Sequence, residues 1–200
     1  MTAVPKKKYT EAEYLALERA AEYKSEFYAG EIFAMAGAKY EHNRAKDNLA
    51  GELHQQLKGG PCFPLSSDMK VKVEATGLFA YPDVVVVCGE PKFLDDKKDV
   101  LLNPVVVVEV LSQSTEKYDR RVKLRHYQQI PTVKDVVLVS QDEPFCERYT
   151  RRADDAWIAA TSIELTEELT FGSIPARVPL SAIYAGFTFA TTPTVSGSSS

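Results

Sequence analysis

No apolar run in this 200-residue sequence approaches the roughly 20 residues that a membrane-spanning helix needs. The basic start, Lys6-Lys7-Lys8, is not followed by the apolar core of a signal peptide. A cytoplasmic protein with no membrane partner is expected. Cysteine is scarce: Cys62, Cys88 and Cys146 are odd in number, widely spaced and free of any C-x-x-C pair, so neither a disulfide framework nor a zinc site is expected. The three histidines are scattered, and no Ser/His/Asp or Cys/His constellation supports a covalent nucleophile. Glycine-rich phosphate loops and internal repeats are missing too. Nor is there an excess of positive charge. The 24 basic and 28 acidic residues leave a net charge of −4, so no global field advertises a polyanionic partner. Local basic residues are all that contact with phosphate would need.

What is present is enough apolar material, 44% of the residues, to bury one substantial core. The expectation is a single domain over residues 1–190 and a disordered Ser/Thr/Gly-rich tail over 191–200. Thr10 and Glu13 have capping-box spacing before an apolar stripe, predicting a helix from Glu11 to Glu22. Tyr23 to Ala36 reads as a β-hairpin turning at Ala29-Gly30. Ala45, Leu49, Leu53 and Leu57, spaced by four, predict the longest helix from Tyr40 to Lys58, with a glycine stop after it. Asp68 to Glu74 alternates like a half-buried strand. Val84 to Val87 and Val105 to Val108 are unbroken β-branched runs, as strands covered on both faces read. Gly89 to Asn103 between them looks like loop. Ser112-Gln113-Ser114-Thr115 leads into a helix over Glu116–Gln129, and a strand over Val136–Ser140 implies a right-handed crossover to a parallel neighbour. Shorter strands are expected around Arg148-Tyr149, Trp157-Ile158 and Ile163 to Phe171, with a last apolar piece at Ile183 to Phe189.

Each valine run is bordered by a carboxylate, Asp83 before the first and Glu109 after the second. A charge at the end of a buried strand is costly unless it is paired or binds a cation. If the strands are antiparallel neighbours, both carboxylates meet at one edge, where two hard oxygen donors suit Mg²⁺ or Mn²⁺. The competing reading leaves each in solvent at its strand end. Lys123, on the helix that follows Glu109, could reach the same edge, or could be a solvated partner of Asp119 four residues earlier. Glu26, between Ser25 and Phe27, points either to that edge or to the wet face of the hairpin. His42 and Asn43 open the long helix, where a capping role is expected. His54 and His126 read as helix-surface residues.

The segments Tyr81-Pro82-Asp83 with Val84 to Val87, Val105 to Ser112, Ser114-Thr115 and Tyr118 to Lys123 closely resemble the Uma family of restriction endonucleases. The likeness extends to Tyr9-Thr10 through Gly30-Glu31, His42 to Leu57 and Ile174 to Phe189. It implies an α/β restriction-endonuclease-like fold of the PD-(D/E)-x-K nuclease superfamily, a central mixed sheet flanked by helices, with an N-terminal helix and hairpin. Asp83 then matches the aspartate of the PD pair and Glu109 the second acidic residue. The lysine that the pattern asks for two residues later is Leu111 here. The displaced lysine of the family matches Lys123, and its early acidic residue matches Glu26. The implied activity is metal-dependent hydrolysis of DNA phosphodiesters. Asp83, Glu109 and the Val110 carbonyl would hold Mg²⁺ or Mn²⁺, and Lys123 would position the attacking water.

Two other readings stand beside it. The domain could bind nucleic acid or another partner through the same fold without catalysis. It could also pack as a structural oligomer through the hairpin from Phe27 to Phe33. A homodimer is expected under either nuclease or oligomer reading, because enzymes that cut both strands of a duplex often share its twofold symmetry.

Overall fold

The computed structural model describes residues 7–113 and 115–189. Ser114, the basic residue Lys6 and the tail expected over 191–200 lie outside these residues. Helix α1 spans Glu11–Ala20. Its capping box forms as expected: the Glu13 N–H donates to Thr10 Oγ1 at 3.2 Å, and the Thr10 N–H donates to Glu13 Oε2 at 2.8 Å. It ends short of Glu22 because Ala21 adopts extended geometry with ψ 151°. The hairpin pairs β1, Ser25–Tyr28, with β2, Glu31–Ala34. Its turn puts Ala29 at φ 51° and Gly30 at φ 83°, the two left-handed positions of a tight hairpin turn. Helix α2, Tyr40–Leu57, buries the four residues that predicted it.

Strands β3, Cys62–Ser66, β4, Lys70–Val73, and β5, Leu78–Ala80, precede the first valine strand, β6, Val84–Cys88. The stretch expected to be loop contains a short strand, β7, Val100–Leu101. The second valine strand, β8, covers Val106–Leu111. The helix after it is built of three pieces: α3, Glu116–Tyr118, a π-helical turn at Asp119–Lys123, and α4, Leu124–Tyr127. Then come β9, Asp135–Ser140, β10, Cys146–Arg151, β11, Trp157–Ser162, β12, Glu168–Thr170, β13, Arg177–Pro179, and α5, Leu180–Ile183.

These strands form a six-stranded mixed sheet, β11-β10-β9-β8-β6-β3, a five-stranded sheet, β2-β1-β5-β4-β7, and a two-stranded ribbon, β12-β13. The valine strands lie side by side and antiparallel, with Val84 opposite Val108. The crossover gives the parallel pair β8-β9, with Glu109 opposite Leu138. One face of the sheet, with Val84, Val86, Val108 and Val137, packs on Ala45, Leu49 and Leu53 of α2. The other, with Val85, Val107 and Val136, packs on Leu124 and Tyr127 of α4. Both faces are therefore covered, which is why the valine runs do not alternate with polar residues. Burying each such side chain stabilises the fold by roughly 1.5–3 kcal/mol.

Further expectations are overturned. Cys62 and Cys88 form a disulfide, because the antiparallel register of β3 and β6 sets them directly opposite one another. Their separation of 26 residues in sequence conceals that neighbourhood. Cys146 is free and buried. His126 is not a surface residue: it is 7% exposed, its ring lies edge-on to Tyr28, and Nδ1 is 2.8 Å from Thr76 Oγ1. Of the hairpin's aromatic residues, Phe27 stacks on Tyr14 at 5.0 Å inside this chain's own core, whereas Phe33 is exposed. Among the described residues, no helix is long and apolar enough to cross a membrane.

Candidate carboxylate and lysine centre

The antiparallel register of β6 and β8 brings the start of one strand to the end of the other. Asp83 and Glu109 therefore reach the same sheet edge, and both are buried, at 9% and 4% exposure. Asp83 Oδ2 accepts the Val110 N–H at 2.7 Å. The N–H and C=O of one strand residue point to the same side, so the Val110 carbonyl also faces the edge just before β6 begins. On its other flank Asp83 Oδ2 lies 3.3 Å from His42 Nε2.

The π-helical turn decides where Lys123 goes. Turns of this kind are rare and recur at functional sites, since the wider turn redirects side chains. Here it buries both Asp119 and Lys123. Lys123 Nζ lies 2.7 Å from Glu26 Oε1, 3.3 Å from Glu109 Oε1 and 3.7 Å from Asp119 Oδ1. Glu26 Oε1 also accepts the Tyr81 N–H at 3.3 Å, and Tyr127 donates its hydroxyl to Glu109 Oε1 at 2.6 Å. The readings that put Glu26 on a wet face or Lys123 in solvent are thereby excluded. So is the expectation that His42 caps its helix: the N-cap of α2 is Lys39 and makes no side-chain cap bond, while His42 turns inward to Asp83.

Four carboxylates, Glu26, Asp83, Glu109 and Asp119, thus share this buried centre with one ammonium. Burial pushes the Glu109 carboxyl well above the usual carboxylate range, opposed by Lys123 and reinforced by Asp119, Asp83 and Glu26. Burial raises Asp119 in the same way. Burial works against the Lys123 ammonium as well, but Glu109, Glu26 and Asp119 outweigh it and hold the amine above the ordinary lysine range. The Tyr127 phenol is raised by burial and by Glu109, so it serves as a donor. Among the described residues no three of His, Cys, Asp and Glu already stand as a metal cage. The donor set nevertheless fits a hard divalent cation, through carboxylate and carbonyl oxygens and an excess of buried negative charge.

A second buried network holds the approach to this centre. Glu18 accepts the Ser25 N–H at 3.0 Å, the Ser25 hydroxyl, and the Tyr81 hydroxyl at 2.7 Å. Ser25 precedes Glu26, and Tyr81 lies two residues before Asp83, so α1 fixes both segments from behind. Glu18, Asp119, Tyr127 and the inward role of His42 were not identified from the sequence. Only Asp119 carried a signal, its four-residue spacing from Lys123.

Residues 11–178 match the Uma2 family model, described as "Putative restriction endonuclease". The chain is similar to two Synechocystis proteins. One, "Uncharacterized protein sll1609", is 34% identical over 174 residues, covering 86% of this chain and 97% of the relative. The other, "Uncharacterized protein slr1290", is 33% identical over 189 residues, covering 94% and 97% respectively. Among solved structures, a "putative nuclease belonging to DUF820" from Anabaena variabilis superposes with a TM-score of 0.69. That match covers 86% of this chain and 95% of the other at 15% identity, a likeness of fold.

Proposed function

From the premise that the chain belongs to the Uma2 family, we propose that it is a metal-dependent endonuclease hydrolysing DNA phosphodiester bonds, with Asp83, Glu109 and Lys123 as its central residues. The observation that carries this reading is the contact of Lys123 Nζ with Glu109 Oε1 at 3.3 Å, at the edge where Asp83 also lies. That contact supplies the lysine which Leu111 does not.

Asp83, Glu109 and the Val110 carbonyl would hold Mg²⁺ or Mn²⁺. Such a cation supplies Lewis acidity toward the phosphate and acidifies a water. The chain does the rest. Glu26 and Glu109 hold the Lys123 ammonium in its charged form beside the reacting position, where it orients the attacking water and offsets charge on the phosphate. The Val110 N–H and His42 fix the Asp83 carboxylate, and the Tyr127 hydroxyl fixes Glu109. A domain that only bound nucleic acid would have no need of a buried ammonium among carboxylates, so this geometry favours the enzyme. DNA as the substrate and a homodimer acting on both strands belong to the same proposal.

The test is cleavage of supercoiled and linear DNA with Mg²⁺ or Mn²⁺ by the native protein and by Asp83→Ala, Glu109→Ala and Lys123→Ala. Metal-dependent nicking that is lost in all three supports the assignment. Cleavage that survives loss of both Asp83 and Glu109, or none with either metal, overturns it.

A further inference from the structure

Beside the carboxylate centre, where α2 begins and β9 ends, lies a cleft of about 520 Å³. The two are close neighbours: Glu41 lines the cleft, and His42, the next residue, contacts Asp83. Gln141 lies at the β9 end, tied to β8 by its N–H donating to the Leu111 carbonyl at 3.3 Å. Only 4% of Gln141 is exposed, and its side chain is half satisfied. Nε2 donates to Asp142 Oδ1 at 3.4 Å, whereas Oε1 is buried with no partner. A buried acceptor without a donor is uncommon in a folded protein and calls for an explanation.

The rest of the lining indicates what the donor would be. Phe187 and Phe189 stack on each other at 5.6 Å, and Tyr40, which is 64% exposed, stands at the opening. Aromatic faces of this kind take bases by stacking. Glu41 and Asp142 add further acceptors near Gln141. Lys39 brings a cation to the same rim, where α2 starts without a side-chain cap, an arrangement suited to the phosphate that links one base to the next.

We propose that this cleft is a subsite for one unpaired nucleobase bearing an exocyclic amino group, adenine, cytosine or guanine, on the strand presented to the carboxylate centre. The amino group donates to Gln141 Oε1 and the ring lies against the aromatic wall. Thymine has no amino group, and its one donor, N3–H, is flanked by two carbonyls that would face a wall of acceptors, so it is disfavoured. This deepens the endonuclease reading and rests on it for the identity of the strand.

The test uses the full chain in EDTA, with fluorescence anisotropy of labelled single-stranded oligo-dA, oligo-dC and oligo-dT. Oligo-dA and oligo-dC are expected to bind roughly two- to tenfold tighter than oligo-dT, the range of one hydrogen bond. Gln141→Met, close in volume, should erase that preference. Tyr40→Ala, at an exposed position, should weaken all three by roughly fivefold or more. Equal affinity for the three strands, or a preference unchanged in Gln141→Met, would overturn the subsite. Displacement by free adenosine monophosphate as effective as by oligo-dA would overturn the strand-borne ligand. No metal or cleavage enters this measurement. A protein that binds with this preference but never cuts loses only the catalytic reading, and one that cuts without the preference loses only the subsite.

Discussion

Lys123 Nζ lies 2.7 Å from Glu26 Oε1, joining the first strand of the N-terminal hairpin to the π-helical turn that follows β8. Both side chains are buried, at 8% and 9% exposure, so neither charge has bulk water as an alternative partner. The hairpin is thereby bound to the sheet edge by the same ammonium that reaches Glu109 and Asp119.

Lys123→Met should destabilise the fold by about 3–5 kcal/mol, since it leaves buried carboxylates without their cation. Urea denaturation measures this directly. Pairing it with Glu109→Gln should recover part of the loss, because one of the stranded charges is then gone. A single substitution as mild as a surface change would mean that Lys123 is not the counter-ion of this cluster.

Tyr127→Phe removes the hydroxyl that donates to Glu109 Oε1 at 2.6 Å while keeping the ring in the core. The expected stability loss is about 1–3 kcal/mol, because a buried carboxyl oxygen loses its hydroxyl donor. Metal-dependent cleavage should fall without being abolished, and a raised metal requirement should account for much of the fall. Titrating the rate against Mn²⁺ separates that effect from lost folding.

Burial lowers the pKa of His126 from its usual 6.5. A depressed pKa in the folded state means that its contribution to stability is present above 6.5 and is lost as pH falls through the lower folded value. The melting temperature of the native protein should therefore drop more steeply below pH 6.5 than that of His126→Gln. Parallel pH profiles for the two proteins would remove the attribution to His126.

Burial pushes the Cys146 thiol up to about 12, and the other two cysteines are joined. The oxidised native protein should show no fast-reacting thiol, with Cys146 appearing only on unfolding. A loop of 26 residues closed by the bridge implies a stabilisation of roughly 3 kcal/mol. The double variant Cys62→Ser with Cys88→Ser should lose about that much in denaturant titration.

Much of this architecture was legible locally. The Thr10/Glu13 box, the Ala29-Gly30 turn and the four-residue spacing of Ala45, Leu49, Leu53 and Leu57 each describe contacts within one turn or one hairpin. Unbroken valine runs announce a strand buried on both faces, because a wet face would demand alternation. Their bordering carboxylates followed from the same reasoning, since a charge ending such a strand needs a reason to be there. The edge strands were harder to see. Strand β3 carries Pro64 and shows no alternation, and β7 is two residues long within a charged stretch.

By itself, then, the sequence determined the central strands, the main helices and the pair Asp83 and Glu109, because these depend on the periodicity of adjacent residues. Tertiary structure alone decided which distant groups share a centre. The β3-β6 register made a disulfide of two cysteines that spacing had left apart. The π-helical turn carried Lys123, with Asp119 beside it, to Glu26, and the first turn of α2 aimed His42 at Asp83. Such contacts join segments through strand order, register and helix phase. These are set by the packing of the whole core, and no local pattern of residues encodes them.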